Sequence, residues 1–395
     1  MNKALLATLI LFSTSIFAQT WEAKSNAPVG RHHPISFSLN GKGYAITGTL
    51  PSGQPTKDAY QYNPTTDTWL TMPSFPGAAR SFGIGTVTNG VAYMGFGFST
   101  SQYLRDFWSL DSNGTYTQLA SCDCTGRRHP AMIGIGDKIY VGLGDDASGD
   151  LRDWWMYDIK ADNWTQITSL PSAGRHHPFM FNAGGEVFAG LGHRGNVIYD
   201  DWFKLDTATN TWTAMNKFPG EARVAGTQFG MHGYGFVLSG DGDNHGYMPN
   251  GEMWRYNPKS DTWTQFPSHP GQSRWAPGSF VIGDDVYFFG GLNRLTNVFP
   301  TDLWKFDMAA ATVSMNEEVL ANTYVYPNPA TDILKWKSDE SITEVKVYNT
   351  LGQLVSASPA EAQSLNSKEL DGGMYLVQFY SNSELIKTSK VLIQN

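Results

Sequence analysis

The chain has little cysteine, little charge and no long apolar run beyond its first residues. Two cysteines in 395 residues exclude a disulfide framework. Charged residues make up 16% of the chain, with a net charge of -8. This balance gives no general affinity for nucleic acid or anionic membranes, so no nucleic-acid partner is expected. No later apolar run approaches the roughly twenty residues that cross a bilayer, so no transmembrane segment is expected.

The first residues, MNKALLATLILFSTSIFAQT, predict export. They combine one lysine, an apolar run from Ala4 to Ile10 and the small residue Ala18 before Gln19. This is the pattern of a secretory signal peptide, assigned to residues 1–18. An oxidising compartment favours a small loop disulfide within the segment SCDCTG, although two free thiols or a soft-metal site remain open.

What the chain has in plenty is glycine and aromatic side chains. It contains 41 Gly, 13 Trp, 18 Tyr and 22 Phe, which indicates a turn-rich, all-β protein. Three series of residues recur, each with six members and a period near fifty. The series are the arginines Arg31, Arg80, Arg127, Arg175, Arg223 and Arg274; the acids Asp58, Asp106, Asp153, Asp201, Glu252 and Asp302, each followed by an aromatic residue; and the aromatics Trp21, Trp69, Tyr116, Trp164, Trp212 and Trp263.

The order within one unit predicts four strands. An apolar segment follows the arginine (HPAMIGIG), and a glycine-terminated strand comes next (DKIYVGLG). A polar loop leads to the strand that carries the acid and the aromatic residue (DWWMYDI), and a turn leads to the strand with Trp (NWTQI). This alternation predicts a four-stranded antiparallel blade.

These features resemble the kelch repeat over residues 19–310, and the resemblance implies a six-bladed β-propeller. Kelch repeats usually end the second strand with Gly-Gly, which only Gly290 and Gly291 supply here; elsewhere the glycines are spaced, as in Gly142-Leu143-Gly144. The array starts with Trp21 and lacks a final Trp strand. The N-terminal strand is therefore expected to complete the last blade and to close the ring.

Residues 311–322 read as a linker, and residues 323–395 as a second domain. Its segments YVYPNPATDILKW, ITEVKVYNTLGQLV, LDGGMYLVQF and KTSKVLIQN resemble the C-terminal sorting domain of type IX secretion substrates. The short alternating strands predict a small Ig-like β-sandwich. The resemblance implies the type IX secretion machinery as a partner, and release or anchoring at the cell surface.

The pentapeptide GRHHP, which occurs at residues 30–34 and 174–178, marks the candidate ligand site. The strand after each arginine is innermost in a kelch blade, so the arginines are expected at one mouth of a central channel. A guanidinium suits carboxylates, sulfates or phosphates, although repeated arginines can also bond backbone carbonyls of neighbouring blades. The candidate ligand-contacting residues are Arg31, His33, Arg80, Arg127, His129, Arg175, His177, Arg223, Arg274 and Trp275.

No metal and no cofactor are expected. His33, His129 and His177 could supply three imidazoles to zinc or copper. However, they belong to blades that are not all adjacent, so the channel is expected to hold them apart, and nearby arginines disfavour a cation. A loop that starts at Asp241 nearly matches a calcium-loop spacing, but Glu252 belongs to the repeat.

The expected function is binding of an anionic glycan or an acidic protein segment at the Arg/His channel mouth. The alternative is a carbohydrate-active enzyme of the mutarotase or epimerase type that uses the same face. No catalytic residue can be assigned, because no acid–base pair stands apart from the repeat. The GRHHP face is predicted to hold the ligand, and the opposite face to be inert.

Overall fold

The computed structural model describes residues 21–243, 245–308, 324–338, 341–349, 353–359, 364–381 and 384–394. The predicted signal peptide and linker lie outside these residues. The chain divides into two compact units, Met1–Asp307 and Met308–Asn395. The described residues are almost entirely strand and turn, with one short 3-10 helix, Ser367–Glu369. The chain is therefore an all-β protein, and none of its described helices is long and apolar enough to cross a membrane.

The first unit contains six four-stranded antiparallel sheets. Strand β1 (Glu22–Lys24) comes first in the chain and belongs to the last of these sheets. Sheet 1 contains β2 (Ile35–Leu39), β3 (Lys42–Ile46), β4 (Ala59–Asn63) and β5 (Thr68–Met72). Sheet 2 contains β6 (Ile84–Thr88), β7 (Val91–Gly95), β8 (Phe107–Leu110) and β9 (Tyr116–Leu119). Sheet 3 contains β10 (Ala131–Ile135), β11 (Lys138–Gly142), β14 (Trp154–Asp158) and β15 (Asn163–Ile167), with the hairpin β12 (Asp145–Asp146) and β13 (Gly149–Asp150) between its second and third strands.

The later sheets repeat this plan. Sheet 4 contains β16 (Phe179–Ala183), β17 (Glu186–Gly190), β20 (Trp202–Asp206) and β21 (Thr211–Met215), with the hairpin β18 (His193–Arg194) and β19 (Val197–Ile198). Sheet 5 contains β22 (Thr227–Met231), β23 (Tyr234–Leu238), β24 (Gly251–Asn257) and β25 (Thr262–His269). Sheet 6 contains β26 (Gly278–Ile282), β27 (Asp285–Phe289), β28 (Leu303–Asp307) and the N-terminal strand β1.

The N-terminal strand completes sheet 6, as the sequence predicts. Strand β1 pairs antiparallel with β28, and Ala23 lies opposite Trp304. The Trp21 ring packs 5.1 Å from the ring of Phe306. Because β28 has a partner on each side, the last sheet has four strands like the other five.

The core of this unit lies between neighbouring sheets. Apolar side chains of consecutive sheets form joint clusters, such as Ile35 of sheet 1 with Met94 of sheet 2. Another cluster joins sheet 6 to sheet 1, with Phe280 packed beside Tyr62. The second strand of each sheet is the most buried, because it carries small and apolar residues on both faces.

Backbone hydrogen bonds link the sheets in a cyclic order. The glycine after each second strand donates its N–H to the carbonyl of the repeat arginine in the next sheet, and the series returns from sheet 6 to sheet 1. The pairs are Gly48 to Arg80, Gly97 to Arg127, Gly144 to Arg175, Gly192 to Arg223, Gly240 to Arg274 and Gly291 to Arg31, at 2.8–3.2 Å.

The backbone at the second glycine of each spaced pair explains why this position is glycine. Gly144, for example, has a φ of +88°, and a Cβ there would lie 2.6 Å from the Arg128 carbonyl oxygen. Only glycine combines that conformation with that approach.

Cys122 and Cys124 form a disulfide and are buried in the cluster between sheets 2 and 3. Of the three states left open by the sequence, the structure has the loop bridge.

The described residues of the second unit form two sheets. One has three strands, in the order β29 (Tyr324–Tyr326), β30 (Ile333–Lys337) and β33 (Ser364–Asn366). The other has four, in the order β32 (Leu354–Pro359), β31 (Glu344–Asn349), β34 (Gly373–Ser381) and β35 (Glu384–Ile393). Alternate residues of these strands, among them Leu334, Trp336, Val345 and Phe379, form its core.

Candidate functional site

The six repeat arginines are buried, each against the acid of its own unit. Their exposed fractions lie between 0% and 5%. In a typical pair, Arg127 donates from both terminal nitrogens to the two carboxylate oxygens of Asp153, at 2.8 Å each. The other pairs are Arg31 with Asp58, Arg80 with Asp106, Arg175 with Asp201, Arg223 with Glu252 and Arg274 with Asp302.

The remaining donors of these arginines bond the backbone. Arg127 Nη1 also donates to the Leu143 carbonyl, sixteen residues later, and four of the other five arginines repeat this contact. Arg223 departs from the pattern, since its Nη1 is buried without a hydrogen-bond partner among the described residues. The guanidiniums are thus occupied inside the sheets.

The aromatic residue two positions after the acid completes this arrangement. The indole N–H of Trp155 donates to Asp153 Oδ2 at 2.7 Å, and Trp108, Trp254 and Trp304 make the same bond in their units. Burial pushes the pKa of Asp153 upward, but the Arg127 and Trp155 contacts bring it below its ordinary value. The recurrent acid and aromatic residue therefore hold a buried guanidinium.

The residue two positions after each arginine has a left-handed backbone. These residues are His33, Phe82, His129, His177, Ala225 and Ala276, with φ between 50° and 63°. The N–H of His33 in sheet 1 donates to the Ala276 carbonyl of sheet 6, at 2.8 Å. The left-handed turn precedes the first strand of every sheet.

The rings at these positions meet. His33 Nε2 of sheet 1 lies 3.0 Å from His177 Nε2 of sheet 4, and the rings of His129 and His177 are 3.7 Å apart between centroids. Phe82 and Trp275 pack against His33 at 4.5 Å each. The expectation that the channel holds the three histidines apart is wrong, since one ring nitrogen from each lies within 4.8 Å of the other two.

Seven of the nine histidines form one connected group, which we call the histidine cluster. Its members are His32, His33, His129, His176, His177, His193 and His245. Burial lowers the pKa of His32 and His129 to about 4 and that of His193 to about 3, and it holds those of His33 and His177 well below the usual value. These five imidazoles are neutral near pH 7.

Two further arginines, outside the repeat series, border the histidine cluster. Arg128 and Arg294 each keep 35% of the side chain exposed. The Arg128 guanidinium lies 5.6 Å from the Tyr103 ring centroid, and that of Arg294 lies 5.0 Å from the Trp275 ring centroid. Both positive charges contribute to the lowered pKa of His33, so both guanidiniums lie near this ring.

Each of these guanidiniums contacts one buried carboxylate through Nε. Arg128 donates to Asp145 at 2.7 Å, and Asp145 also contacts His129 Nδ1 at 3.1 Å. Arg294 forms an ion pair of 2.6 Å with Asp241, which has no well-aligned hydrogen bond among the described residues. Burial raises the pKa of Asp241 to about 6 although Arg294 opposes the shift.

A cavity of about 300 Å³ lies on the first strands of the six sheets. His33, His129 and His177 line one part of it, and it continues along the strands to Val87 and Gly230. Its other polar side chains carry hydroxyls and an amide, from Ser36, Ser38, Thr86, Thr227, Ser279 and Gln228. Among the residues that the structure describes, no arginine lines this cavity.

The structure therefore brings together part of the predicted set. His33, His129, His177 and Trp275 meet, whereas the six repeat arginines lie apart from them in buried pairs. The candidate ligand-contacting residues that the sequence predicts do not include Arg128. It occupies a position that other units fill with His, Ser, Val or Trp. That irregularity, a cation where the repeat does not require one, is the signal in the sequence.

Comparison with known proteins assigns the second unit. Residues 324–394 match the family model described as a secretion system C-terminal sorting domain. This type IX sorting domain directs export, so the protein is secreted or displayed at the cell surface and engages the secretion machinery. No kelch family model matches the chain.

A curated enzyme shares a short region with the chain. Ulvan lyase NLR42 from Nonlabens ulvanivorans is 28% identical over 96 residues. The match covers 23% of this chain and spans 18% of the length of the lyase.

Proposed function

We propose that the first unit is a six-bladed kelch-type β-propeller. Its six sheets share one strand order, and their hydrogen bonds and joint clusters run from each sheet to the next and back to sheet 1. The first strands of neighbouring sheets also contact one another around the same cycle, including β26 with β2. A ring of blades accounts for all of these contacts.

On this scaffold the protein acts as an exported binding module for an anionic ligand, a glycan or an acidic protein segment. The observation that carries the proposal is the pair Arg128 and Arg294, half-exposed beside the histidine cluster. Each lies over an aromatic ring, which suits a ligand with both negative charge and a flat or apolar face. The short match to an ulvan lyase is compatible with a glycan.

The repeat arginines have a structural part in this proposal. All six bond a carboxylate, all but Arg223 also bond the backbone carbonyl sixteen residues later, and their exposed fraction is 5% or less. A ligand anion would have to displace a buried acid to reach them. Ligand contact is therefore assigned to Arg128, Arg294, Trp275 and the histidines, at the face that the GRHHP segments mark.

A carbohydrate-active enzyme of the mutarotase or epimerase type is the second candidate. The observation that favours it is Asp241, a buried carboxyl beside Arg294 whose pKa is raised to about 6. A group that exchanges a proton near neutral pH is what acid–base catalysis on a sugar requires. Anomer exchange or epimerisation of a bound sugar, lost in Asp241→Asn, would favour the enzyme.

A ligand screen tests the proposed class directly. The mature protein is applied to an array of sulfated, carboxylated and neutral glycans, together with acidic peptides and their neutral amide counterparts. We expect retention on anionic members only. Retention on neutral glycans alone, or on no anionic member, would refute the proposal.

A further inference from the structure

The three rings of His33, His129 and His177 have the arrangement of a metal site. They come from sheets 1, 3 and 4, and one ring nitrogen of each lies within 4.8 Å of the other two. Three ligands on a tetrahedral Zn²⁺, at about 2.0–2.1 Å from the metal, would be roughly 3.3 Å from one another. The 3.0 Å separation of His33 Nε2 and His177 Nε2 is close to that value.

The hydrogen bonds of His129 leave its Nε2 without a proton. The Asp145 carboxylate can only accept, so His129 Nδ1 donates to it at 3.1 Å. In a neutral imidazole the other nitrogen is then a lone-pair acceptor. His129 Nε2 is buried with no hydrogen-bond partner among the described residues, and the side chain is 6% exposed. A carboxylate on one nitrogen and an unused lone pair on the other is the usual condition of a metal-binding histidine.

A chain of hydrogen bonds leaves His177 Nε2 in the same state. His193 Nδ1 lies 3.1 Å from the Gly195 carbonyl, which can only accept, and 2.7 Å from His245 Nε2. We place the proton on His193 Nδ1, where it is shared between these two acceptors. The neutral His193 therefore accepts at Nε2, where His177 Nδ1 donates at 3.1 Å. This leaves the Nε2 of His177 as a lone pair, directed at His33.

His33 can present the third lone pair without a change of charge. Without an ion, its Nε2–H donates to His177 Nε2, and its Nδ1 accepts from His32 Nδ1 at 2.7 Å. If the proton of each ring moves to the other nitrogen, His33 Nδ1 donates to His32 instead. His33 Nε2 then becomes a ligand, and both imidazoles stay neutral.

We propose that His33, His129 and His177 bind one divalent transition-metal ion of the Zn²⁺ class through their Nε2 atoms. Imidazole nitrogens suit Zn²⁺ and its first-row neighbours, and three of them leave a coordination position open. Since all three rings line the 300 Å³ cavity, water or a ligand oxygen can reach that position. This inference does not depend on the proposed binding function.

The local charge permits a cation. Arg128 and Arg294 are the nearby positive groups that act on His33, and each is paired with a carboxylate, Asp145 or Asp241. The repeat arginines are likewise neutralised by their acids. The expected repulsion between arginines and a metal is therefore largely offset.

A second trio, His176, His177 and His193, also has ring nitrogens within 4.8 Å of one another. It is a weaker candidate, because His177 Nδ1 and His193 Nε2 already bond each other at 3.1 Å. His176 belongs to this trio alone, and His129 belongs to the first alone. Variants at these two positions therefore distinguish the sites.

The test is metal stoichiometry of the mature chain. The protein is stripped with a chelator, incubated with Zn²⁺, dialysed and analysed for bound metal, and its affinity is measured against a chromophoric chelator. We expect about one ion per chain. His129→Gln should lose at least about 100-fold in affinity, and Asp145→Asn, which keeps all three rings, about 10–100-fold. His176→Gln and the exposed control His232→Gln should bind as the parent does.

Near-ultraviolet circular dichroism of each variant checks folding, and the Co²⁺ absorption spectrum of the parent provides a second readout of a nitrogen-bound, four-coordinate ion. Less than about one tenth of an equivalent bound by the parent would overturn the proposal. So would loss of binding in His176→Gln with full binding in His129→Gln, because the ion would then lie in the other trio. If His129→Gln does not fold, an unchanged affinity in Asp145→Asn overturns it.

Discussion

His33 and His177 belong to sheets 1 and 4, and their Nε2 atoms lie 3.0 Å apart. These sheets are three steps apart in the cyclic order of hydrogen bonds, so the contact joins two sheets that are not neighbours in that order. The left-handed backbone at both residues, with φ of 52°, directs the chain into this contact. The same two residues follow the arginines of the two identical GRHHP segments. One pentapeptide thus supplies a buried arginine for the fold and an imidazole for the site.

The buried arginine–acid pairs predict a specific loss of stability. In Asp153→Asn, Arg127 keeps its charge and loses the carboxylate that pairs with it inside the sheet. Breaking a buried pair by removing one partner costs about 3–5 kcal/mol. The free energy of unfolding, measured by urea titration, should fall by about that amount.

The control for this change is Asp137→Asn. Asp137 pairs with Lys160 on the surface, so its loss should leave the unfolding midpoint nearly unchanged. Equal stability of Asp153→Asn and the parent would contradict the structural role of the pairs.

The buried His269 predicts a pH dependence of stability. Its Nδ1 donates to the Pro270 carbonyl, its Nε2 bonds the Ser239 hydroxyl, and burial together with Arg274 lowers its pKa to about 3. The unfolded chain takes up this proton near pH 6.5, and the folded chain resists it. The stability that neutral His269 contributes to the fold is therefore fully present above about pH 6.5. It is lost as the pH falls, so the free energy of unfolding decreases by about 2 kcal/mol between pH 7 and pH 5.

This contribution is isolated by comparing the parent with His269→Gln at both pH values. Other buried histidines destabilise both proteins equally in acid, so the parent should lose about 2 kcal/mol more than the variant. An equal loss in the two proteins would show that His269 does not resist protonation.

The sorting domain predicts the fate of a truncated chain. Without residues 324–394 the protein lacks the segment that the secretion machinery recognises, so it should accumulate in the periplasm. Immunoblots of periplasm, cell surface and medium measure this. The full-length Arg128→Gln variant is the control and should be delivered normally, and surface delivery of the truncated chain would contradict the assignment.

The repeat made most of the strands predictable from the sequence. Periodic arginines, spaced glycines and acid–aromatic strands predict the order of elements, and the missing last strand predicts the pairing of β1 with β28. The partner of each arginine was also accessible, because an acid follows every one of them by 26–29 residues. The relationship appears only when the arginine series and the acid series are aligned with each other.

The site was less predictable, for a physical reason. The alternation of side chains along a strand predicts which face each residue lies on, but only where the backbone is extended. Left-handed residues such as His33 interrupt the extended backbone just before the first strand of each sheet. The convergence of imidazoles from sheets 1, 3 and 4 depends on that turn and on ring packing with Phe82 and Trp275. No pattern within a single repeat contains this information.

The central claim is that Arg128 and Arg294 bind an anionic ligand, and calorimetric titration tests it most directly. The anionic ligand selected on the array is titrated into the parent, into Arg128→Gln/Arg294→Gln, and into Lys138→Gln, which removes a charge at the opposite end of a first-strand hairpin. Each lost charge-assisted hydrogen bond costs about 1.5–3 kcal/mol, so the double variant should bind at least about 100-fold more weakly. The parent should weaken as salt rises, because exposed charges are screened, while Lys138→Gln should bind as the parent does. An affinity of the double variant equal to that of the parent would contradict the account.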